Sequence, residues 1–162
     1  MEFFVERYKN REELTFECEV ITPMFLSGAD PNQVELRAAS IKGALRFWWR
    51  AIVGQRYRNI EEMKEAEGKI FGSTNGKNQN ASEVKIAVKK VSNFIANDYP
   101  MLPHRDRAIK KSISPTTKFE IEFEIAKEKK EDIKNLFILI SLLCGFGKRQ
   151  RRGFGSFNIN KI

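Results

Sequence analysis

Two stretches of strict alternation, far apart in the chain, constrain the fold more than any other feature of the sequence. From Leu14 to Thr22, the apolar Leu14, Phe16, Cys18 and Val20 alternate with Thr15, Glu17 and Glu19, with Glu13 just ahead. From Lys118 to Ala126, Phe119, Ile121, Phe123 and Ile125 alternate with Glu120, Glu122 and Glu124. Successive side chains of a strand point to opposite faces, so each stretch reads as a strand with one buried and one solvated side. Such strands belong in an antiparallel sheet whose apolar face is covered by helices.

The remaining segments fall into place around these two. Pro23 to Ala39 carries Pro, Gly, Asp and Asn and reads as a loop, after which Ser40 is placed to cap a helix running to about Val53. A short acidic helix, Ile60 to Phe71, stops at Gly72, and the turn formers of residues 72–82 predict a mobile surface loop. Val84, Ile86 and Val88 begin another alternation. A connection of about 25 residues follows, a length that in a compact domain is usually functional or disordered. Asp132 to Cys144 is an almost continuously apolar helix, expected to be buried on more than one side. A glycine-rich turn, Gly145 to Gly155, then leads into a last strand from Ser156 to Ile162.

The order strand, helix, strand, strand, helix, strand predicts a ferredoxin-like α+β domain, βαββαβ, with one antiparallel sheet and both helices on one face, plus an extra short helix and long loops. Residues 1–162 suit a single domain of this kind. In that topology the first and third strands are central, which gathers Glu17, Glu19, Glu120, Glu122 and Glu124 on the outer face. Lys85 and Lys89 of the second strand would partly offset their repulsion. RNA-recognition motifs stack bases on aromatic residues of the open sheet; an acidic sheet face directs nucleic acid elsewhere.

Charge bounds the partner. Lys and Arg number 29 against 21 Asp and Glu, a net charge of +8 that favours a polyanion. No apolar stretch approaches the roughly 18 residues that span a bilayer, so a cytoplasmic protein without a membrane partner is expected. Cys18 and Cys144 sit in apolar runs without a second Cys or a His at ligand spacing. They read as reduced core residues, and no metal or other cofactor is expected.

Two segments carry the chemistry. Between Leu36 and Ile60 there are six basic residues and no acid. At about 100° per residue, Lys42, Arg46, Trp49 and Arg50 share one sector of the helix, while Ile41, Ala44, Leu45, Trp48, Ala51 and Ile52 fill the opposite side. Basic residues at i, i+4 and i+8 repel one another, and an anion would relieve the cost. A solvated helix face accounts for such a stripe almost as well; Trp49 within it favours nucleic acid, because an indole is a sequence-tolerant stacking surface. The second segment, GFGKRQRRGFGSF, has Gly145, Gly147, Gly153 and Gly155 around Lys148, Arg149, Arg151 and Arg152. Glycines allow left-handed backbone and close approach to a phosphate, and the cations supply the field. It follows a helix and precedes a strand, the reverse of a P-loop or dinucleotide fingerprint.

The glycine spacing between a second helix and a last strand resembles the signature loop of the RAMP superfamily of CRISPR proteins. TPMFLSGA at Thr22–Ala29, ELR at Glu35–Arg37, SIKGALRFWWRA at Ser40–Ala51, IFGS at Ile70–Ser73 and the glycine loop together resemble the family of first subunits of the Cmr (type III-B CRISPR) effector complex. The resemblance implies a ribonucleoprotein subunit of antiviral defence that helps bind guide RNA, target single-stranded RNA or both, beside other Cmr subunits. Family members commonly have two ferredoxin-like halves; the elements of this chain make up one. RNA contacts would then fall on Arg37, Lys42, Arg46, Trp49, Arg50, Gly145, Gly147, Lys148, Arg149, Arg151, Arg152, Gly153 and Gly155.

Some RAMP relatives cleave guide RNA without metal, often with a histidine. His104, the only histidine here, stands near Arg105 and Arg107 but has no evident second base. Asp30, Asp98 and Asp106 are scattered singly, unlike the converging carboxylates of a metal-dependent nuclease. Binding without catalysis is therefore expected, with metal-independent endoribonuclease activity as the alternative. A basic helix lying on a membrane is disfavoured, because its other face is needed to cover the sheet.

Overall fold

A computed structural model describes residues 10–74, 81–102 and 109–162. The element order is β1 (Arg11–Val20), α1 (Ala38–Val53), α2 (Ile60–Phe71), β2 (Val84–Ser92), β3 (Ala96–Pro100), β4 (Ile109–Ile113), β5 (Lys118–Ala126), α3 (Lys130–Leu143) and β6 (Phe157–Lys161). Four strands form an antiparallel sheet in the order β2-β5-β1-β6. The two alternating segments are thus central neighbours, as the ferredoxin-like arrangement requires.

Their register sets Leu14 opposite Phe123, Phe16 opposite Ile121 and Cys18 opposite Phe119, so one face of the pair is continuously apolar. From α3, Phe137 closes over it, with ring centroids 4.4 Å from Phe16 and 5.2 Å from Phe123. Phe16, Phe123 and Phe137 are all fully buried, and each such ring contributes about 1.5–3 kcal/mol of transfer free energy. Cys18 lies in this layer, where burial pushes its thiol up to about 12, so it stays protonated and inert.

On the outer face Glu17 stands opposite Glu120. Edge-strand cations offset the acid: Lys161 reaches Glu17 at 3.3 Å, and Lys90, Lys89 and Lys85 reach Glu120, Glu122 and Glu124 at 3.0, 2.9 and 2.9 Å. This face is a charge-paired ladder.

Several expectations are corrected. The described part of the connection before β5 is not all loop: β3 and β4 form a two-stranded antiparallel sheet, from Ala96 opposite Ile113 to Pro100 opposite Ile109. Its residues, ANDYP and IKKSI, are mostly exposed and lack alternation, which hid the hairpin. Helix α1 begins ahead of Ser40, with Arg37 at the N-cap and no side-chain cap. Helix α3 buries only one side: Ile133, Leu136, Phe137 and Ile140 are in the core, whereas Leu142 is 77% and Leu143 62% exposed. The end of the loop at residues 72–82 is pinned, since Glu83 N–H donates to the Ile70 carbonyl and Ser82 Oγ to the Val84 carbonyl. His104, with Arg105 and Arg107, lies outside the described residues.

Candidate nucleic-acid interface

Helix α1 carries the first basic segment, and its orientation differs from the sequence-based wheel by a small rotation. Ile41, Ala44, Leu45 and Trp49 are buried, while Ala51 and Ile52 are exposed. Trp49 is therefore a core residue, 8% exposed, with its ring centroid 5.9 Å from that of Tyr57 and 6.3 Å from that of Phe71. It lies at i+4 from Leu45 and i+8 from Ile41, and α2 packs where the wheel alone left open solvent. Its remaining edge lines a cleft of about 440 Å³ with Ile52, Tyr57 and Leu136. Trp48 is partly buried, and its Nε1 has no acceptor among the described residues.

The anion that the stripe of cations calls for is supplied from inside the fold. Glu67 of α2, whose side chain is 3% exposed, accepts from Arg46 Nε at 2.5 Å and from Arg50 Nη1 at 3.4 Å. The two guanidinium side chains remain 38% and 44% exposed, so each has donors left for a second anion. Lys42 donates from Nζ to Ser82 Oγ at 2.7 Å. Its pKa is lowered by burial and, secondarily, by the Arg46 charge. Arg37 lies 3.7 Å from Glu35. A short acidic helix does not single out Glu67 by composition; only its phase with Ile70 and Phe71 marks it as inward.

The glycine loop is tied down by backbone hydrogen bonds at both ends. Phe146 N–H donates to the Gly155 carbonyl, Lys148 N–H to the Phe25 carbonyl and Gly155 N–H to the Pro23 carbonyl, each at 2.9 Å. A Cβ on Gly155 would stand 1.9 Å from the Phe146 oxygen, on Gly145 2.1 Å from the Gly155 oxygen, and on Gly147 2.4 Å from the Phe25 oxygen. These glycines let two backbone segments touch each other. Gly153, at φ +83 with no described atom within 4 Å of an added Cβ, is the open one. The loop is thereby stapled to Thr22–Phe25, with Phe154 against Phe25 at 5.1 Å, which gives the two distant motifs one structural purpose.

That staple aims the loop's cations. Lys148, Arg151 and Arg152 are exposed; Arg149 is in the left-handed region at φ 59, with its Nε buried and unpaired among the described residues. Arg151 extends over the Phe47 ring of α1, its Cζ 5.6 Å from the centroid. The two basic segments thus meet along one edge of α1. Among the described residues, no group of three or more His, Cys, Asp or Glu is placed to hold a metal ion, and no helix is long and apolar enough to cross a membrane.

Comparison with known proteins agrees with this architecture. The family model of the RAMP superfamily matches residues 17–158. The CRISPR system Cmr subunit Cmr1-2 of Pyrococcus furiosus is 32% identical over 181 residues, taking in 93% of this chain and 96% of that protein. Cmr subunit Cmr1-1 of the same organism is 32% identical over 163 residues, taking in 89% of this chain but 46% of that protein. The apo crystal structure of Cmr1 from Pyrococcus furiosus has a TM-score of 0.65 at 26% identity, covering 92% of this chain and 49% of that one. A chain of the type III-B Cmr-beta complex bound to cognate target RNA has a TM-score of 0.63 at 17% identity, covering 97% of this chain and 61% of that one, and bears on the fold alone. The chain therefore spans nearly all of one curated relative and about half of the other.

Proposed function

The chain belongs to the RAMP superfamily, and from that membership we propose that it is a non-catalytic RNA-binding subunit of a Cmr ribonucleoprotein effector complex, helping to hold guide RNA, target RNA or both beside other Cmr subunits. The observation that carries the reading is the convergence of the two basic segments. Arg46 and Arg50 on α1, and Lys148, Arg151 and Arg152 on the loop, belong to segments about a hundred residues apart, yet Arg151 sits over a ring of α1. Phosphate contacts supply most of the affinity of such a surface, whatever the sequence bound. Arg37, Lys42 and Arg149 extend it. The glycines act by shaping the loop, and Trp49 acts by packing the helix that presents the cations.

The reading has two further parts, a cytoplasmic setting and one ferredoxin-like unit over residues 1–162. Metal-independent cleavage, the alternative, would rest on His104.

Affinity for single-stranded RNA, measured by fluorescence anisotropy across a salt series, tests the proposal. With four to six phosphate contacts the log–log slope is expected near −3 to −4, about −0.7 per contact. A slope near zero would remove the proposed surface. Labelled RNA incubated with the protein, with and without EDTA, is expected to stay intact. Cleavage abolished by His104→Ala would replace the binding role with the nuclease one.

A further inference from the structure

The exposed aromatic residue of the basic helix is Phe47, 41% exposed, and Gly43 lies one helical turn before it on the same edge. A glycine inside a helix is destabilising relative to alanine unless the space it leaves is used. Packing does not need it here, since no atom of the described residues lies within 4 Å of a Cβ built on Gly43. The helix therefore carries bare backbone beside an exposed ring, with Arg151 over that ring at 5.6 Å and Arg50 at i+3 from Phe47.

We propose that the Gly43–Phe47 edge of α1 seats one nucleotide of single-stranded RNA: the base lies on the Phe47 ring on the side that Arg151 leaves open, the sugar passes over Gly43, and Arg151 and Arg50 hold the flanking phosphates. This rests on the RNA-binding reading and adds to it a nucleobase contact that sequence had assigned to Trp49. An aromatic face accepts any base, so the seat gives affinity without sequence preference. Gly43 admits the ribose at a distance that a methyl group would obstruct, and the guanidinium beside the ring keeps a cation at the phosphate.

The test compares the full-length chain with Phe47→Ala, Phe47→Trp and Gly43→Ala, using a short fluorescein-labelled single-stranded RNA and the same oligonucleotide with abasic sites. Phe47→Ala is expected to weaken binding to the intact RNA about ten-fold with the salt slope unchanged, since the lost contact is uncharged. Phe47→Trp is expected to bind at least as tightly as the unsubstituted chain. On the fully abasic RNA, Phe47→Ala and the unsubstituted chain are expected to be equal. If Phe47 serves only to latch the loop through Arg151, Phe47→Ala would weaken both RNAs alike, and the stacking proposal falls. Gly43→Ala is expected to raise the thermal midpoint by about 3 °C, from helix propensity, while lowering RNA affinity several-fold. A more stable Gly43→Ala protein with undiminished affinity, or one that is less stable, overturns the open-edge seat. Failure of the unsubstituted chain to bind RNA removes the RNA reading and the seat together; binding that no substitution alters removes the seat alone.

Discussion

Arg46 Nε lies 2.5 Å from Oε1 of Glu67, a carboxylate only 3% exposed, and this pair sets how much of the basic helix is free to meet another anion. The carboxylate takes charge from two guanidinium groups at once, at 2.5 and 3.4 Å. Their mutual repulsion is relieved within the fold, and on the proposed reading an RNA phosphate would compete with Glu67 for the charge of these two guanidinium groups.

Glu67→Gln keeps the shape and removes the charge. Because hydrogen bonds to charged groups contribute about 1.5–3 kcal/mol and the guanidinium side is partly solvated, a loss near the lower end, about 1–2 kcal/mol, is expected in chemical denaturation. RNA affinity should move the other way. With the internal anion gone, the log–log salt slope should steepen by up to about 0.7 per guanidinium freed. A variant that loses stability and RNA affinity together would mean that Glu67 positions the arginines and does not compete for them.

The two arginine pairs differ in what they leave behind. Arg46→Ala with Arg50→Ala strands a buried carboxylate, so unfolding should occur about 1–3 kcal/mol more easily. Arg151 and Arg152 are exposed and leave no buried partner, so their double alanine variant should unfold within about 0.5 kcal/mol of the original. Both doubles should flatten the salt slope by about 1.4, which is two phosphate contacts. The first difference is read by denaturation and the second by anisotropy.

Within the glycine loop, alanine should separate shape from openness. At Gly155 a Cβ would stand 1.9 Å from a backbone oxygen at φ +71, and no flexible side chain can yield. Gly155→Ala is expected to cost about 3 kcal/mol or more, or to prevent folding in expression trials. Gly153 has the same left-handed backbone with space around it, so Gly153→Ala should cost only about 1 kcal/mol. Equal midpoints for the two variants would contradict the close backbone crossing.

How legible this was in the sequence depends on whether a residue's surroundings were local. The alternation of Leu14–Val20 and Phe119–Ile125 specified two central strands, because period-2 burial is written along the chain itself. Lys85 and Lys89 could be paired with β5 glutamates, because register follows from topology. Trp49 and Glu67 could not be placed: each is decided by α2 packing beside α1, an angle that neither helix encodes alone. The hairpin of β3 and β4 escaped for a different reason. Its strands are held by backbone hydrogen bonds and by Met24 bridging Ile113, with little alternating burial to announce them. The glycines were recognised as special, but their neighbour proved to be the Thr22–Phe25 backbone, which spacing does not reveal.

The acid limb of stability should report two carboxylates of the sheet, Glu124 on its outer face and Glu12 at the end of β1 beside α3. A hydrogen bond from Lys85, and beyond it the charges of Lys85 and Arg11, hold Glu124 below the ordinary carboxylate value of 4.5. Glu12 is lowered in the same direction, first by its hydrogen bond from Lys130. A carboxylate whose folded value is depressed binds fewer protons folded than unfolded near that pH. Its stabilisation is therefore present above about 4.5 and is lost as pH falls through the lowered folded value. Both groups are partly exposed, so the effect is small and screened by salt. In low-salt urea titrations the midpoint should change little between about pH 7 and 5 and fall below about 4.5. The Glu12→Gln, Glu124→Gln double variant should show a shallower fall, and added salt should bring the two proteins together. An equally steep fall in both would place the acid sensitivity on other carboxylates.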